Sequence, residues 1–181
     1  MTYQRKYTVI CDIDNCFVDS RMLAQYIPAD NSRAGWDNFL TKIPLCTPNQ
    51  QVIDMICATC DLHPVIFMTG REDRHTCRHD TIVQLKEFSN GKINMQDPEC
   101  PHKLLMRDEF DYRPASVIKE EKLLQVIRAG YMPLVAIDDE IENCQMFMKY
   151  GLKTIRYDIE AQMLKRCEYD TSGHDTTERT K

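Results

Sequence analysis

The chain has 181 residues, a length that suits one domain around a single sizeable core. Hydrophobic residues make up 43% and charged residues 28%, an ordinary globular balance, and no apolar run approaches the roughly 18 residues of a membrane span. A formal net charge of -5 speaks against a protein that tracks a long nucleic-acid backbone, so a nucleic-acid ligand would be held at an end, over a few nucleotides.

Apolar runs alternate with amphipathic stretches, the pattern of a parallel sheet covered by helices. Residues 7–13 (YTVICDI) read as a buried first strand. Residues 21–46 differ in character: they hold prolines, Gly35 and the only tryptophan, Trp36, and read as a small cap insertion over the strand ends. Helical spacing of Val52, Ile53, Ile56 and Cys57 predicts a helix over 48–60. A second strand at 64–68 (PVIFM) is closed by Thr69, Gly70 and Arg71, and a polar surface helix is expected over 73–88. A third strand at 104–107 precedes a helix over 115–128 that Gly130 stops. The strand at 133–137 (PLVAI) ends in Asp138-Asp139, followed by a helix over 140–150 stopped by Gly151 and a fifth strand over 153–157. From residue 169 the sequence is polar and reads as a disordered tail, which leaves 1–168 as one domain.

Four clusters in this plan carry chemistry, because the C-terminal edge of an open parallel sheet is where ligands bind. Asp12-Ile13-Asp14 closes the first strand, and period-two alternation puts both carboxylates on one side. Such a pair can bind Mg2+, attack phosphorus and exchange a proton with the leaving group and water, or it can simply solvate a turn. Thr69 and Gly70 offer a hydroxyl and backbone N–H groups to a phosphate, and Arg71 a bidentate contact; a plain strand-to-helix turn has the same composition. Lys119 can neutralise a phosphate or remain a solvated helix lysine. Asp138-Asp139 is again a metal-ligand pattern or a turn. Their order, three at strand ends and all on one edge, makes a joint bland reading improbable.

That ordered set resembles the haloacid dehalogenase superfamily of phosphohydrolases: DIDN looks like its first motif, MTGR its second, Lys119 its third and IDDE its fourth. Within the superfamily the chain is most similar to the 3'-phosphatase domain of bacteriophage polynucleotide kinase-phosphatases. Met106, Arg107, Arg113, Lys119, Glu120, Glu121, Asp138 and Asp139 carry the likeness, with Trp36-Asp37-x-Phe39 as the short connector. It spans roughly residues 7–157.

The resemblance implies a three-layer, Rossmann-like α/β fold of about five parallel strands with helices on both faces. It implies a Mg2+-dependent phosphomonoesterase that forms an aspartyl-phosphate on Asp12, with Asp14 as general acid and base. Thr69, Gly70, Arg71 and Lys119 would hold phosphate. Asp12, Asp138 and Asp139 would hold the metal, joined by the main-chain carbonyl of Asp14. Arg107, Arg113 and Trp36 are candidate substrate contacts. A nucleic-acid 3' end is the implied substrate; a nucleoside monophosphate, as for a nucleotidase, and a non-catalytic phosphate-binding module are the alternatives. Two departures bear on the site: Asn15-Cys16 stands where the family has Gly-Thr, and Ala115 stands where the subgroup carries an aspartate four residues before the lysine. No G-x-x-x-x-G-K-[ST] occurs among the six glycines, so no kinase motif accompanies these four.

The nine cysteines are odd in number and no signal peptide opens the chain, so reduced thiols and a cytoplasmic address are expected, with no membrane contact and no obligate protein partner. Cys57-x-x-Cys60, His75-x-Cys77-x-His79 and Cys100-Pro101-His102 lack paired CxxC spacing and are not read as zinc sites.

Overall fold

The computed structural model describes residues 6–167; the expected tail from residue 169 lies outside them. A six-stranded sheet runs in the order β5-β4-β1-β6-β7-β8, built from β1 (Lys6–Cys11), β4 (Val65–Glu72), β5 (Lys103–Arg107), β6 (Tyr131–Asp138), β7 (Lys153–Asp158) and β8 (Met163–Arg166). The first five are mutually parallel, and β8 adds to β7 antiparallel through pairs such as Arg156 with Lys165. The expected five parallel strands are therefore present, and the sixth is an edge strand whose exposed, charged MLKR lacks the apolar run by which the others were read.

Period-two alternation builds the layers. Val9 and Cys11 face one core with Val65, Phe67 and Leu104, while Ile10 faces the other with Ile66, Met68 and Ala136. On the first face lie Val52, Ile53 and Ile56 of α2 (Gln50–Thr59) and Cys77 and Leu85 of α3 (His75–Phe88). On the second lie Leu123 and Val126 of α4 (Ala115–Arg128) and Met146 and Phe147 of α5 (Ile141–Lys149). Gly130 and Gly151, at φ 86° and 81°, end the last two helices in the left-handed conformation that glycine adopts without strain. The nine cysteines are all free. No helix among the described residues is long and apolar enough to cross a membrane.

The first strand stops at Cys11, two residues short of the expected end. The Ile13 carbonyl accepts from the N–H of Cys16 and of Val18, a turn that takes the backbone off the ladder. That turn opens a two-stranded antiparallel ribbon, β2 (Val18–Asp19) with β3 (Thr47–Pro48), from which the cap insertion projects. Pro48 therefore belongs to this ribbon rather than to the helix expected over 48–60. The cap holds a 3-10 turn (Arg21–Tyr26), α1 (Arg33–Leu40) and a second 3-10 turn (Ile43–Leu45). The Ser32 hydroxyl caps α1 by accepting from Gly35 N–H.

Candidate active site

β1 lies between β4 and β6, so the sheet's switch in strand order falls beyond its C-terminal end. Asp12 stands there, its backbone N–H bonded to Ile137 of β6 and its side chain buried. Lys119 Nζ, buried on α4, donates to Asp12 Oδ1 at 2.7 Å and to Asp138 Oδ2 at 2.7 Å. The carboxylates of Asp12, Asp138 and Asp139 offer oxygens that all lie within 4.8 Å of one another. The Ala115 departure thus leaves Lys119 seated between two carboxylates.

Three acids and one ammonium give this cluster an excess of negative charge. Burial, opposed by Lys119 and aided by Asp138 and Asp139, pushes the Asp12 carboxyl well above the usual range. Burial and then Asp138 raise Asp139 to about 7. Lys119 goes up despite burial, because Asp12 and Asp138 flank it. Hard oxygen donors with an uncompensated charge of this size fit a divalent cation of the Mg2+ type. Asn143 was not singled out in the sequence: its Nδ2 donates to Asp138 Oδ1 at 2.9 Å and Glu140 Oε2 at 3.0 Å, fixing the carboxylate. Its place five residues after Asp138, on the first turn of α5, is the only sequence signal for that role.

Asp14 lies apart from this trio. Strand alternation does not extend to it, and its carboxylate meets Arg71 in a bidentate pair, Nη2–Oδ1 2.8 Å and Nε–Oδ2 2.9 Å. Thr69 Oγ1 lies 3.4 Å from the same Oδ2. Burial raises the Asp14 carboxyl, but Arg71 outweighs it and holds it below the usual range. The Asn15-Cys16 departure is accommodated in the turn. Asn15 sits at φ 53°, a region asparagine tolerates, and its Oδ1 accepts from Ser20 N and Oγ. Cys16 is fully buried, and its carbonyl accepts from Asn49 Nδ2.

Four expected phosphate or substrate contacts, Arg71, Arg107, Arg113 and Trp36, are engaged within the protein. Arg71 spends its remaining Nη1 on Thr81 Oγ1 (3.0 Å) and Gln84 Oε1 (3.1 Å), so its guanidinium is a clamp on Asp14 rather than an open anion site. The second motif also does not open a helix: β4 runs on to Glu72 with a register shift after Met68, and α3 starts at His75. The helix read as a polar surface one buries Thr81 and Gln84, and its polarity exists to receive Arg71. Arg107 braces the next loop, donating from Nε to Gly70 O (2.8 Å) and from Nη1 to the carbonyls of Asp111 and Arg113 (2.7 Å each). Arg113 is exposed and pairs with Asp111 and Glu121. Trp36 Nε1 donates to Asn31 Oδ1 and its ring meets Phe39 edge-on, which fixes it within the cap.

Arg71→Gln should cost about 3 kcal/mol, toward the low end for a broken buried pair because 34% of the Asp14 side chain meets solvent. Without the guanidinium, burial is opposed only by the lesser effects of Lys119 and the Thr69 hydroxyl, so the Asp14 carboxyl should move up, and with it any pH limb of kcat/KM that Asp14 sets. The wild-type pair contributes stability above the unfolded carboxyl pKa and loses it as pH falls through the lower folded value. A pH–rate profile and a thermal melt check both; an unmoved limb would remove Arg71 from this role.

None of the curated proteins matches the chain. Among solved structures, a chain of a Pnkp1/Rnl/Hen1 complex is 24% identical, covering 86% of this chain and 49% of that one, with a TM-score of 0.60. A chain of the Pnkp1/Rnl/Hen1 RNA repair complex is 22% identical over 84% of this chain and 42% of that one, at a TM-score of 0.62. The class C acid phosphatase from Bacillus anthracis is 14% identical over 77% and 54%, at 0.51. At these identities the likeness shows the fold, and this chain spans less than half of the first two. The family profile described as "Polynucleotide kinase PNKP phosphatase domain" matches residues 6–160, a stretch that holds every side chain named in this site. The chain therefore belongs to that family of haloacid dehalogenase-type phosphatases and is a phosphoric monoester hydrolase.

Proposed function

We propose that the protein removes 3'-phosphates from nucleic-acid ends through an aspartyl-phosphate on Asp12, with Mg2+ as cofactor, in the cytoplasm. The seat of Asp12 carries this reading: a buried carboxylate at the sheet's switch point, 2.7 Å from Lys119 and within reach of two further carboxylates. Asp12, Asp138 and Asp139 would hold Mg2+ with the Asp14 main-chain carbonyl, and the ion when bound supplies positive charge to the phosphoryl oxygens.

The remaining work falls to the chain itself. A carboxylate oxygen of Asp12 attacks phosphorus in line with the ester oxygen, and that P–O bond breaks. Thr69 Oγ1, the backbone N–H of Gly70 and Lys119 donate to the phosphoryl oxygens, with Arg71 positioning Asp14. Asp14 protonates the leaving alkoxide. In the resting protein Arg71 keeps Asp14 ionised, and an arriving phosphate dianion raises its pKa toward the protonated form. In the second half Asp14 takes a proton from water as it attacks the acyl phosphate, releasing phosphate and Asp12.

The substrate class rests on the family match and on the net charge of -5, which suits contact at an end rather than along a backbone. Two fold relatives are chains of Pnkp1/Rnl/Hen1 complexes, one of them described as an RNA repair complex, which agrees with it. The same acidic balance favours a nucleoside monophosphate as the second reading. The unit that performs the reaction is read as residues 1–168, with 21–46 as its cap.

A matched panel tests the proposal. Phosphate release should be fastest from a 3'-phosphorylated oligonucleotide, compared with its 5'-phosphorylated twin and with free 3'- and 5'-monophosphates. EDTA should abolish it and Mg2+ restore it. Asp138→Asn should raise the Mg2+ concentration needed for half-maximal rate by about 10- to 100-fold. Faster release from free monophosphates would make this a nucleotidase, and full activity in EDTA would remove the metal.

A further inference from the structure

We propose that Phe110 and Tyr112, on the loop between β5 and α4, form a stacking shelf for the terminal nucleobase of the strand whose 3'-phosphate enters the site. The inference rests on the strand-end reading above and adds what holds the base. Both side chains are large, aromatic and unburied, 61% and 70% exposed. They flank Asp111, whose carbonyl accepts from Arg107, and Arg107 in turn donates to the Gly70 carbonyl at the phosphate turn. The loop is therefore tied directly to the end of β4, while Lys119 on the helix that follows it reaches Asp12.

The Phe110 ring is held while still exposed. The Arg33 guanidinium of α1 lies over it, 4.2 Å from the ring centroid. Arg33 is itself fixed by Glu72 at 2.9 Å and Glu109 at 2.5 Å. One end of this chain of contacts is the last residue of β4, so the ring is braced against the rim of the catalytic edge. Phe110 also has φ 66°, in the left-handed region that bulky side chains rarely adopt. A conformation with that cost persists where the surroundings impose it, and such outliers gather at ligand-contacting positions. Tyr112 is two residues along, its ring open to solvent. In contrast, the Trp36 indole is committed to Asn31 and Phe39.

The chemistry of the rim favours a base as the occupant. Of the arginines there, Arg33 and Arg113 are paired with acids and Arg107 has its Nε and Nη1 donors on backbone carbonyls, so few of their donors are left for backbone phosphates. With the net charge at -5, stacking is the sequence-tolerant contact that remains for a strand end.

The test compares two 3'-phosphorylated oligonucleotides that differ only in the terminal nucleotide, one bearing its base and one abasic. Wild type should favour the base-bearing strand by about tenfold in kcat/KM, the size of one base–aromatic stack. Phe110→Ala should erase that preference, lowering kcat/KM on the base-bearing strand and leaving the abasic one within about twofold. Phe110→Trp should keep the preference, and Tyr112→Ala should reduce it. Wild type that treats both strands alike, or a Phe110→Ala variant that slows both equally, would overturn the shelf while leaving the 3'-phosphatase reading intact. If wild type dephosphorylates neither strand yet hydrolyses free monophosphates, the strand-end reading falls and the shelf with it.

Discussion

Asp12→Asn is expected to lower phosphate release by about 10^4- to 10^6-fold, the scale of losing a covalent nucleophile. The amide keeps the shape and cannot form the acyl phosphate. Stability should respond in the opposite sense. Asp12 is buried beside Asp138 and Asp139, and burial together with those neighbours disfavours its charge. Replacing that carboxylate by a neutral isostere leaves Lys119 paired with Asp138 at 2.7 Å and relieves the excess of negative charge. In EDTA the variant should therefore melt at or above the wild-type temperature. A variant retaining more than about a hundredth of wild-type activity would displace Asp12 as the nucleophile, and a clear drop in melting temperature would show that its charge stabilises the fold.

Lys119→Met should fail on both counts. Deleting one preorganised donor to a developing phosphoryl charge typically costs about 10^2- to 10^3-fold in kcat. The larger consequence is structural. Lys119 is the cation between Asp12 and Asp138, with side chains 5%, 6% and 1% exposed. Removing one partner of such a buried set costs about 3–5 kcal/mol, which for a chain of this size is roughly 10 °C in melting temperature. Added Mg2+ should recover part of the melting temperature, because the ion takes over the charge that the ammonium supplied, and little of the activity. An unchanged melt in EDTA would mean that water, rather than Lys119, compensates the carboxylates.

These two expectations isolate what the cluster is made of. Its acids are useful because they are crowded: burial and neighbouring carboxylates make Asp12 and Asp139 less stable as anions in the metal-free protein, and a divalent cation held by the trio would relieve that crowding. Lys119 sets how much negative charge is left over for that ion. Asn143, by donating to Asp138, keeps one carboxylate from turning toward the lysine alone.

Sequence by itself determined the sheet and its two covered faces, because buried parallel strands need nearly unbroken apolar runs and the helices between them need a 3.6-residue stripe. YTVICD, PVIFM and PLVAI could be read for that reason, and so could the helix stops at Gly130 and Gly151, where an L side chain would be strained. The acidic ends of YTVICD and PLVAI, and Lys119, were legible from their order along the chain. The tertiary structure alone decided the partners. Arg71 has the composition of a phosphate ligand, yet Thr81 and Gln84, 10 and 13 residues later, draw it onto Asp14. Asp14 left the plane of Asp12 because two backbone bonds to the Ile13 carbonyl end the strand early, which periodicity cannot foresee. The β8 edge and the β2–β3 ribbon escaped for a related reason. Short, exposed strands are fixed by hydrogen bonds to a neighbour already in place rather than by an apolar pattern of their own. The Phe110 ring is the furthest case, since its position depends on an arginine 77 residues earlier that only the folded cap brings within 4.2 Å.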